Sequence, residues 1–204
     1  MKWLYGMLLT GWALAANAQT NRMAYEEEIA RHRADYKAEF LTSANGPLKN
    51  AQDLANLQFF EPDSTFRIEA VVRRTPESEP FNMPTYNGQQ KPHVRYAVLT
   101  FTHKGQVLQL ALFRSLQLMK LPQYRDYLFL PFKDATNGSE TYGGGRYLDF
   151  RVGDIKDGKL IIDFNKAYNP YCAYSDGYSC PIPPAQNVLP IPIRAGEKNF
   201  GKAH

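Results

Sequence analysis

Side chains able to do chemistry concentrate in two polar segments of this 204-residue chain, residues 134–150 and 163–184. The first segment contains a glycine-rich turn, residues 143–146, that ends in the cation Arg146. The backbone N–H groups of such a turn can cradle an anion, which the arginine would bind through two parallel hydrogen bonds. The other interpretation is a glycine bulge through which the chain enters the following strand.

Three acidic residues of these segments, Glu140, Asp149 and Asp163, are candidates for a carboxylate pair in acid–base catalysis. Asp149 lies inside a strand pattern that can point it away from the other two, and a structural salt bridge is the commoner use of such a carboxylate. Asp134, Asn137 and Glu140 offer oxygen ligands for calcium, but their spacing does not match an EF-hand loop. We expect instead a turn in which Asp and Asn bond their own backbone.

The chain has two cysteines, Cys172 and Cys180, eight residues apart. A disulfide is the expected state in an oxidising compartment. A lone cysteine pair lacks the further Cys or His ligands that zinc needs, and two free buried thiols remain an alternative. A catalytic thiol would need a base, for which His32, His93 and His103 are the internal candidates. We expect His93 and His103 to be solvated loop residues, and we predict no metal site and no cofactor.

Tyrosine, asparagine and glycine concentrated in non-periodic segments are typical of a fixed binding surface. The predicted ligand-binding residues are Glu140, Tyr142, Arg146, Asp163, Asn165 and Asn169. A small polar or anionic ligand is the predicted partner, and no catalytic residue is identified. A hairpin through Asp157-Gly158 would bring Arg146 and Asn165 to the same edge of the sheet.

The N-terminus has the pattern of a signal peptide over residues 1–18. Lys2 precedes an apolar stretch, residues 3–16, and residues 16–18 (ANA) fit the small-x-small cleavage pattern. We therefore expect residues 19–204 to form one exported domain, periplasmic or secreted, with no membrane span after leader removal. The 24 basic and 20 acidic residues contain no Lys/Arg run longer than two, which argues against nucleic-acid binding. The sequence does not indicate an oligomeric state.

Apolar periodicity predicts a helical element over residues 22–56, with a first helix at 22–43 and a shorter one at 48–56. The first helix carries Tyr25, Ile29, Tyr36 and Phe40 on one face, which should dock against a sheet face. A period-two pattern predicts a strand at 66–73, and further strands are predicted at 94–102, 106–114, 127–132, 146–151 and 159–164.

The second and third of these strands should form a hairpin that places Val98 and Leu110 in one core. Residues 76–92 are predicted to be a long loop or irregular edge, and residues 165–192 an ordered loop forming one wall of the site. The predicted class is α+β, mainly β: an antiparallel β-sandwich or barrel with N-terminal helices packed outside.

Three blocks carry a resemblance to a known family: YRDYLFLPFKDATNGSETYGGGRYLDF, IDFNKAYNPYCAYSDGYSCPIPP and NVLPIPIRAGEKNF. Over roughly residues 25–200, the chain resembles the bacterial and archaeal family called domain of unknown function 1684. The resemblance implies a shared β-rich fold and no established activity, and it transfers no catalytic residue.

Two functional hypotheses follow. The first is a cell-envelope binding or structural module with a polar Tyr/Asn/Arg-rich site, because the leader is present and the familiar catalytic motifs are not. The alternative is a small exported hydrolase that uses the carboxylates and Arg146.

Overall fold

One antiparallel sheet organises the chain. The computed structural model describes residues 6–201, with side chains from residue 19 onward. The strands are β1 Arg67–Arg74, β2 Phe81–Pro84, β3 Gln90–His103, β4 Gln106–Ser115, β5 Tyr127–Phe132, β6 Arg146–Arg151 and β7 Lys159–Asp163. They lie in the order β6-β5-β4-β3-β1-β7, and β2 pairs with the beginning of β3. The sheet curls into a half-barrel, which confirms the predicted α+β, mainly β class.

Alternating side chains give the sheet two different faces. On β1, buried Ile68 and Ala70 alternate with exposed Arg67 and Glu69, as expected for a half-buried strand. The inner face carries the main core, which includes Leu99, Phe101, Leu110, Leu112, Leu128, Leu130, Phe132, Ile162 and Phe164. A smaller cluster on the outer face contains Met83, Ala111, Phe113, Phe129 and Tyr147. Strands β4 and β5 are therefore buried on both faces where they meet this second cluster.

The β3–β4 hairpin closes through a two-residue turn rather than the three residues that the sequence suggests. Lys104 and Gly105 both have positive φ, +48° and +80°, which is the backbone of a type I′ turn. This turn pairs Leu99 with Leu110, and both are buried. The prediction that Val98 shares a core with Leu110 is wrong, because a shift of one residue places Val98 on the other face.

The predicted hairpin between β6 and β7 is also wrong. The turn at Asp157-Gly158 exists, but it joins Lys156 to Lys159, the first residue of β7, and does not join β6 to β7. Strand β6 pairs with β5, and β7 pairs with β1, so the two lie at opposite edges. A 3-10 turn at Val152–Asp154 leads the chain away from β6 before it can fold back.

Residues 76–92 contain the short strand β2 and the first residues of β3. Phe81 to Pro84 pair with Gln90 to His93, so the irregular-edge prediction is the one that fits. Pro84 lies at the end of an edge strand, where the missing N–H group does not interrupt a central ladder. Strand β3 is longer than predicted at both ends, so that His93 and His103 lie within it, and both are buried. The prediction that both histidines are solvated is wrong.

Two helices precede the sheet, α1 Gly6–Thr42 and α2 Ala51–Leu54. Ile29 and Phe40 of α1 are 0% and 3% exposed, and the Tyr25 hydroxyl donates to Asp163 Oδ1 at 2.9 Å. The predicted face therefore does dock, although onto the end of β7 and the C-terminal loops rather than a sheet face. Residues 1–5 of the predicted leader lie outside the described residues, and residues 6–18 continue α1. No helix within the described range is long and apolar enough to cross a bilayer.

A side chain completes the seam between β4 and β5. The fully buried Asn187 accepts the Ala111 N–H at 2.8 Å and donates to the Ala111 and Pro131 carbonyl oxygens at 2.8 and 2.7 Å. An asparagine amide can substitute for a strand in this way because it carries both a donor and an acceptor. This contact holds the C-terminal loops against the sheet.

Candidate functional site

Arg146 is a structural residue, not a ligand group. Its guanidinium is 0% exposed and forms an ion pair with Asp134 at 2.8 Å. It also donates to the backbone carbonyl oxygens of Ile193, Ala195 and Glu197. Burial lowers the pKa of Arg146, and the neighbouring carboxylate of Asp134 opposes that shift. Its Nε has no partner among the described atoms, but because the whole guanidinium is buried, Arg146 has no face open to an anion.

The glycine segment before Arg146 is a turn through which the chain enters β6, as in the second interpretation, although no bulge interrupts the β5–β6 register. Gly145 has a φ of +93°, and a Cβ there would meet the Phe132 carbonyl oxygen at 2.6 Å. The carbonyl oxygen of Gly144 accepts a hydrogen bond from the Tyr86 hydroxyl at 2.8 Å. The turn therefore brings the chain into β6 against a crowded wall, for which glycine is required.

Asp134 and Asn137 form the expected turn, not a calcium loop. Asp134 Oδ1 accepts the Thr136 N–H and hydroxyl, and Asn137 Oδ1 accepts the Asp134 N–H. Glu140 points elsewhere and pairs with Arg194 at 3.0 Å on the surface. Within residues 19–201, no group of three or more His, Cys, Asp or Glu side chains could hold a metal ion.

The remaining predicted residues belong to two further networks. The Asp163 carboxylate accepts hydrogen bonds from the Tyr25 hydroxyl and the Asn165 N–H, and the Asn165 side-chain amide donates to the same hydroxyl. This amide also donates to the Asp63 carbonyl oxygen and accepts the Asp63 N–H. Together they fasten α1 and the segment before β1 to the end of β7. Tyr142 is half-buried, with its ring packed edge-on against Tyr86.

Asn169 belongs to a buried network centred on Glu197. The Asn169 N–H donates to Glu197 Oε2 at 2.9 Å, and the hydroxyls of Tyr36 and Tyr174 donate to the same carboxylate at 3.0 and 2.7 Å. Burial raises the pKa of Glu197 to about 7, against the opposing effect of these hydrogen bonds. The sequence-predicted residues are thus held in separate structural clusters and do not converge on one cavity.

A different region forms a cleft of about 1220 Å³. Helix α1, strands β1 and β3 to β7 and residues 168–181 bound it, and the predicted residue Asp163 lies on its wall. Aromatic and charged side chains line it in similar numbers, and the aromatic ones include Tyr124, Tyr127, Phe129, Tyr147, Tyr168, Tyr171 and Tyr178. The predicted loop is therefore a wall of a cleft, although not of the one the sequence suggested.

Asp149 lies inside this cleft and is exposed to water. The Tyr127 hydroxyl donates to its Oδ1 at 2.6 Å, and the Tyr168 hydroxyl donates to its Oδ2 at 2.8 Å. Although open to water, the carboxylate is surrounded by enough protein to raise its pKa; the two phenol bonds oppose this effect and nearby Glu39 adds to it. The result is a carboxylate fixed in one orientation by two neutral donors.

Sheet geometry explains how the two tyrosines reach Asp149. In the β5–β6 ladder Tyr127 pairs with Arg151, so Asp149 is its diagonal neighbour on the outer face. Tyr168 follows β7 and bridges back to Tyr147 through two backbone hydrogen bonds, which makes Asp149 its diagonal neighbour on the other side. Burial raises the pKa values of both phenols well above the ordinary value, and they remain protonated donors.

His93 supplies a second acceptor on the cleft wall, with its ring centroid 6.2 Å from that of Phe129. Its Nδ1 lies 2.8 Å from the Lys91 carbonyl oxygen. A carbonyl only accepts, so Nδ1 carries the hydrogen and Nε2 has a free lone pair. Burial lowers the pKa of His93, which keeps the ring neutral. Its ladder partner Ser115 lines the cleft beside it.

Cys172 and Cys180 form a disulfide in the structure, in agreement with the sequence. Cys180 lines the cleft, and the bridge closes the tip of the loop that forms its wall. Lys91 holds the same wall by donating to the Ser179 carbonyl oxygen at 2.5 Å.

Comparison with known proteins places the chain in a family. The model for "Protein of unknown function (DUF1684)" matches residues 52–198, more than half of the chain. The chain belongs to this family. It is also similar to the solution NMR structure of an uncharacterized protein from Haloarcula marismortui, with 31% identity and a TM-score of 0.65 over 88% of this chain and 96% of that one. No curated protein matches the chain. The match to DUF1684 confirms the resemblance inferred from the three sequence blocks.

Proposed function

We propose that the protein is an exported binding module of the cell envelope that holds a small polar ligand in the Asp149 cleft. The signal-peptide pattern of residues 1–18 supports export. The observation that supports binding most strongly is the Asp149 carboxylate itself, open to water inside an aromatic cleft and fixed by Tyr127 and Tyr168.

The composition of the cleft is that of a ligand site. Small-molecule pockets usually combine aromatic walls with a few fixed polar groups that set the ligand's orientation. Here the tyrosine rings supply the walls, and Asp149, His93 and Ser115 supply polar atoms at separate points along them. Because two phenol donors already hold Asp149 in place, ligand binding does not cost the entropy of ordering that side chain, which favours affinity.

The alternative hydrolase has less support. Its proposed cation, Arg146, is committed to Asp134 inside the core. Its proposed carboxylates have different partners: Glu140 pairs with Arg194, Asp163 bonds Tyr25, and Asp149 bonds the two tyrosines of the cleft. A carboxylate pair for acid–base chemistry needs both members within reach of one substrate atom.

Native mass spectrometry of the protein exported by a bacterial host tests the proposal. We expect a non-covalent adduct on the wild-type protein that is lost in Asp149→Asn and kept in Glu69→Gln. Glu69 is a suitable control because it is a surface carboxylate paired with Lys159 at 2.7 Å, outside the cleft, and its change alters the net charge equally. An adduct retained by Asp149→Asn would place the binding elsewhere.

A further inference from the structure

Asp149 has no hydrogen-bonded cationic partner among the described residues, although the Arg151 charge is near enough to lower its pKa. Its two oxygens accept hydrogen bonds from phenols, which are neutral. The nearest strand cation, Arg151, gives its guanidinium hydrogen bonds to Asp126 and to the Gln123 carbonyl oxygen. A carboxylate in a partly dehydrated cleft gains from a positive partner, because the attraction is less screened there than in bulk water.

Three of the four Lys and Arg side chains that line the cleft already have partners, and the fourth, Lys156, is exposed to water. Lys166 pairs with Glu28 at 2.6 Å, and Lys91 donates to the Ser179 carbonyl oxygen. Arg67 lies 3.9 Å from Asp163. Five carboxylates line the cleft, those of Asp35, Glu39, Asp149, Asp154 and Asp163, and Glu39 is near enough to raise the pKa of Asp149. With four Lys and Arg side chains against them, the balance of charges in the cleft is negative, which disfavours the anionic member of the polar or anionic ligands expected from the sequence.

The aromatic rings next to Asp149 favour a cation as well. Phe129 and Tyr147 lie 4.8 Å apart between ring centroids, and Tyr147 and Tyr168 lie 5.9 Å apart, so the three rings form a continuous wall. The faces of aromatic rings attract cations, and several rings together recognise ammonium groups bearing methyl substituents. Tyr127, whose hydroxyl bonds Asp149, already contacts a cation, since the Arg151 guanidinium carbon lies 5.7 Å from its ring centroid.

We propose that the cleft binds a small organic cation, with an ammonium or trimethylammonium group placed between the Asp149 carboxylate and the rings of Tyr147 and Tyr168. This inference rests on the proposed function and names the chemical class of its ligand. The carboxylate attracts the positive charge of the ligand, which a neutral solute lacks. The rings take the place of the weakly held water around the methyl groups.

Calorimetric titration of the purified protein with choline and with its neutral carbon isostere, 3,3-dimethylbutan-1-ol, tests the charge directly. The two probes have nearly the same shape, and only choline is a cation. We expect choline to bind at least about tenfold more tightly, a difference of about 1.4 kcal/mol, because only its quaternary nitrogen is attracted by the Asp149 carboxylate and by the faces of the rings. Asp149→Asn should remove this preference, while the control Glu69→Gln keeps it.

The outcomes separate the two proposals. Equal binding of both probes, or binding of the neutral sugar maltose in place of choline, would overturn the cation inference and leave the cleft a binding site. No binding of any of the three probes at millimolar concentration also overturns the cation inference. The proposed function then stands or falls separately on the mass-spectrometric adduct. The probe comparison on wild-type protein stays decisive even where Asp149→Asn fails to fold.

Discussion

Replacing Arg146 by methionine should lower the free energy of unfolding more than replacing any surface charge does. The side chain is fully buried, and its guanidinium satisfies the Asp134 carboxylate and three backbone carbonyl oxygens. Methionine has a similar length but carries no donor, so it leaves a buried carboxylate without its counter-charge. Breaking a buried ion pair from one side typically costs about 3–5 kcal/mol, and we expect a loss in that range.

Urea unfolding followed by circular dichroism measures this loss, and Arg194→Met is the matched control. Arg194 pairs with Glu140 on the surface at 3.0 Å, and exposed pairs contribute about 0–1 kcal/mol. The double variant Arg146→Met with Asp134→Asn should recover part of the loss, because the uncompensated charge is gone. If Arg146→Met matched Arg194→Met in stability and instead abolished ligand binding, Arg146 would be a binding residue and our assignment of it would be refuted.

Three further changes test the buried network, the hairpin register and the disulfide. The pKa of Glu197 is raised to about 7, so the folded state keeps a proton that the unfolded state releases, and stability should fall as pH rises from about 4.5 to about 7. Glu197→Gln should flatten this dependence in urea unfolding at about pH 5 and pH 8, and an unchanged slope would assign it to another group. Leu110→Ala should cost about 2–4 kcal/mol in the same assay, and a loss below about 0.5 kcal/mol would contradict the Leu99–Leu110 register. Replacing Cys172 and Cys180 by serine should cost about 2.5 kcal/mol, the loop entropy of a nine-residue ring, and equal melting curves with and without reductant would show that the bridge does not contribute.

Local sequence patterns predicted the strands well and their partners poorly. The bounds of β5 and β6 match the predicted 127–132 and 146–151, because the strand signals of each segment are a property of that segment alone. The pairing of β6 with β7 failed because Asp157-Gly158 is a strong turn signal that says nothing about which strands it joins. The shift of Val98 to the other face of β3 came from a one-residue difference in the turn.

The site was harder to predict because polar residues also build structure. Arg146, Asn165 and Asn169 lie in the segments richest in polar groups, and all three are buried as internal connectors. Asp149 was recognised as a carboxylate, but not as the centre of a site. The signal that could have identified it lies at the outer-face positions of two neighbouring strands. Tyr127 and Phe129 on one strand, and Tyr147 and Asp149 on the other, are aromatic or acidic where ordinary surface residues would be expected.

Chemical-shift mapping with ¹⁵N-labelled protein tests the position of the site most directly. The titrants are choline, 3,3-dimethylbutan-1-ol and maltose, added separately. We predict that at least one of them shifts the amides of Phe129, Asp149 and Tyr168, which surround the cleft, and leaves those of Glu140 and Asn165 unchanged. Shifts centred on Glu140 and Asn165, with Asp149 unaffected, would contradict the assignment of the cleft as the binding site.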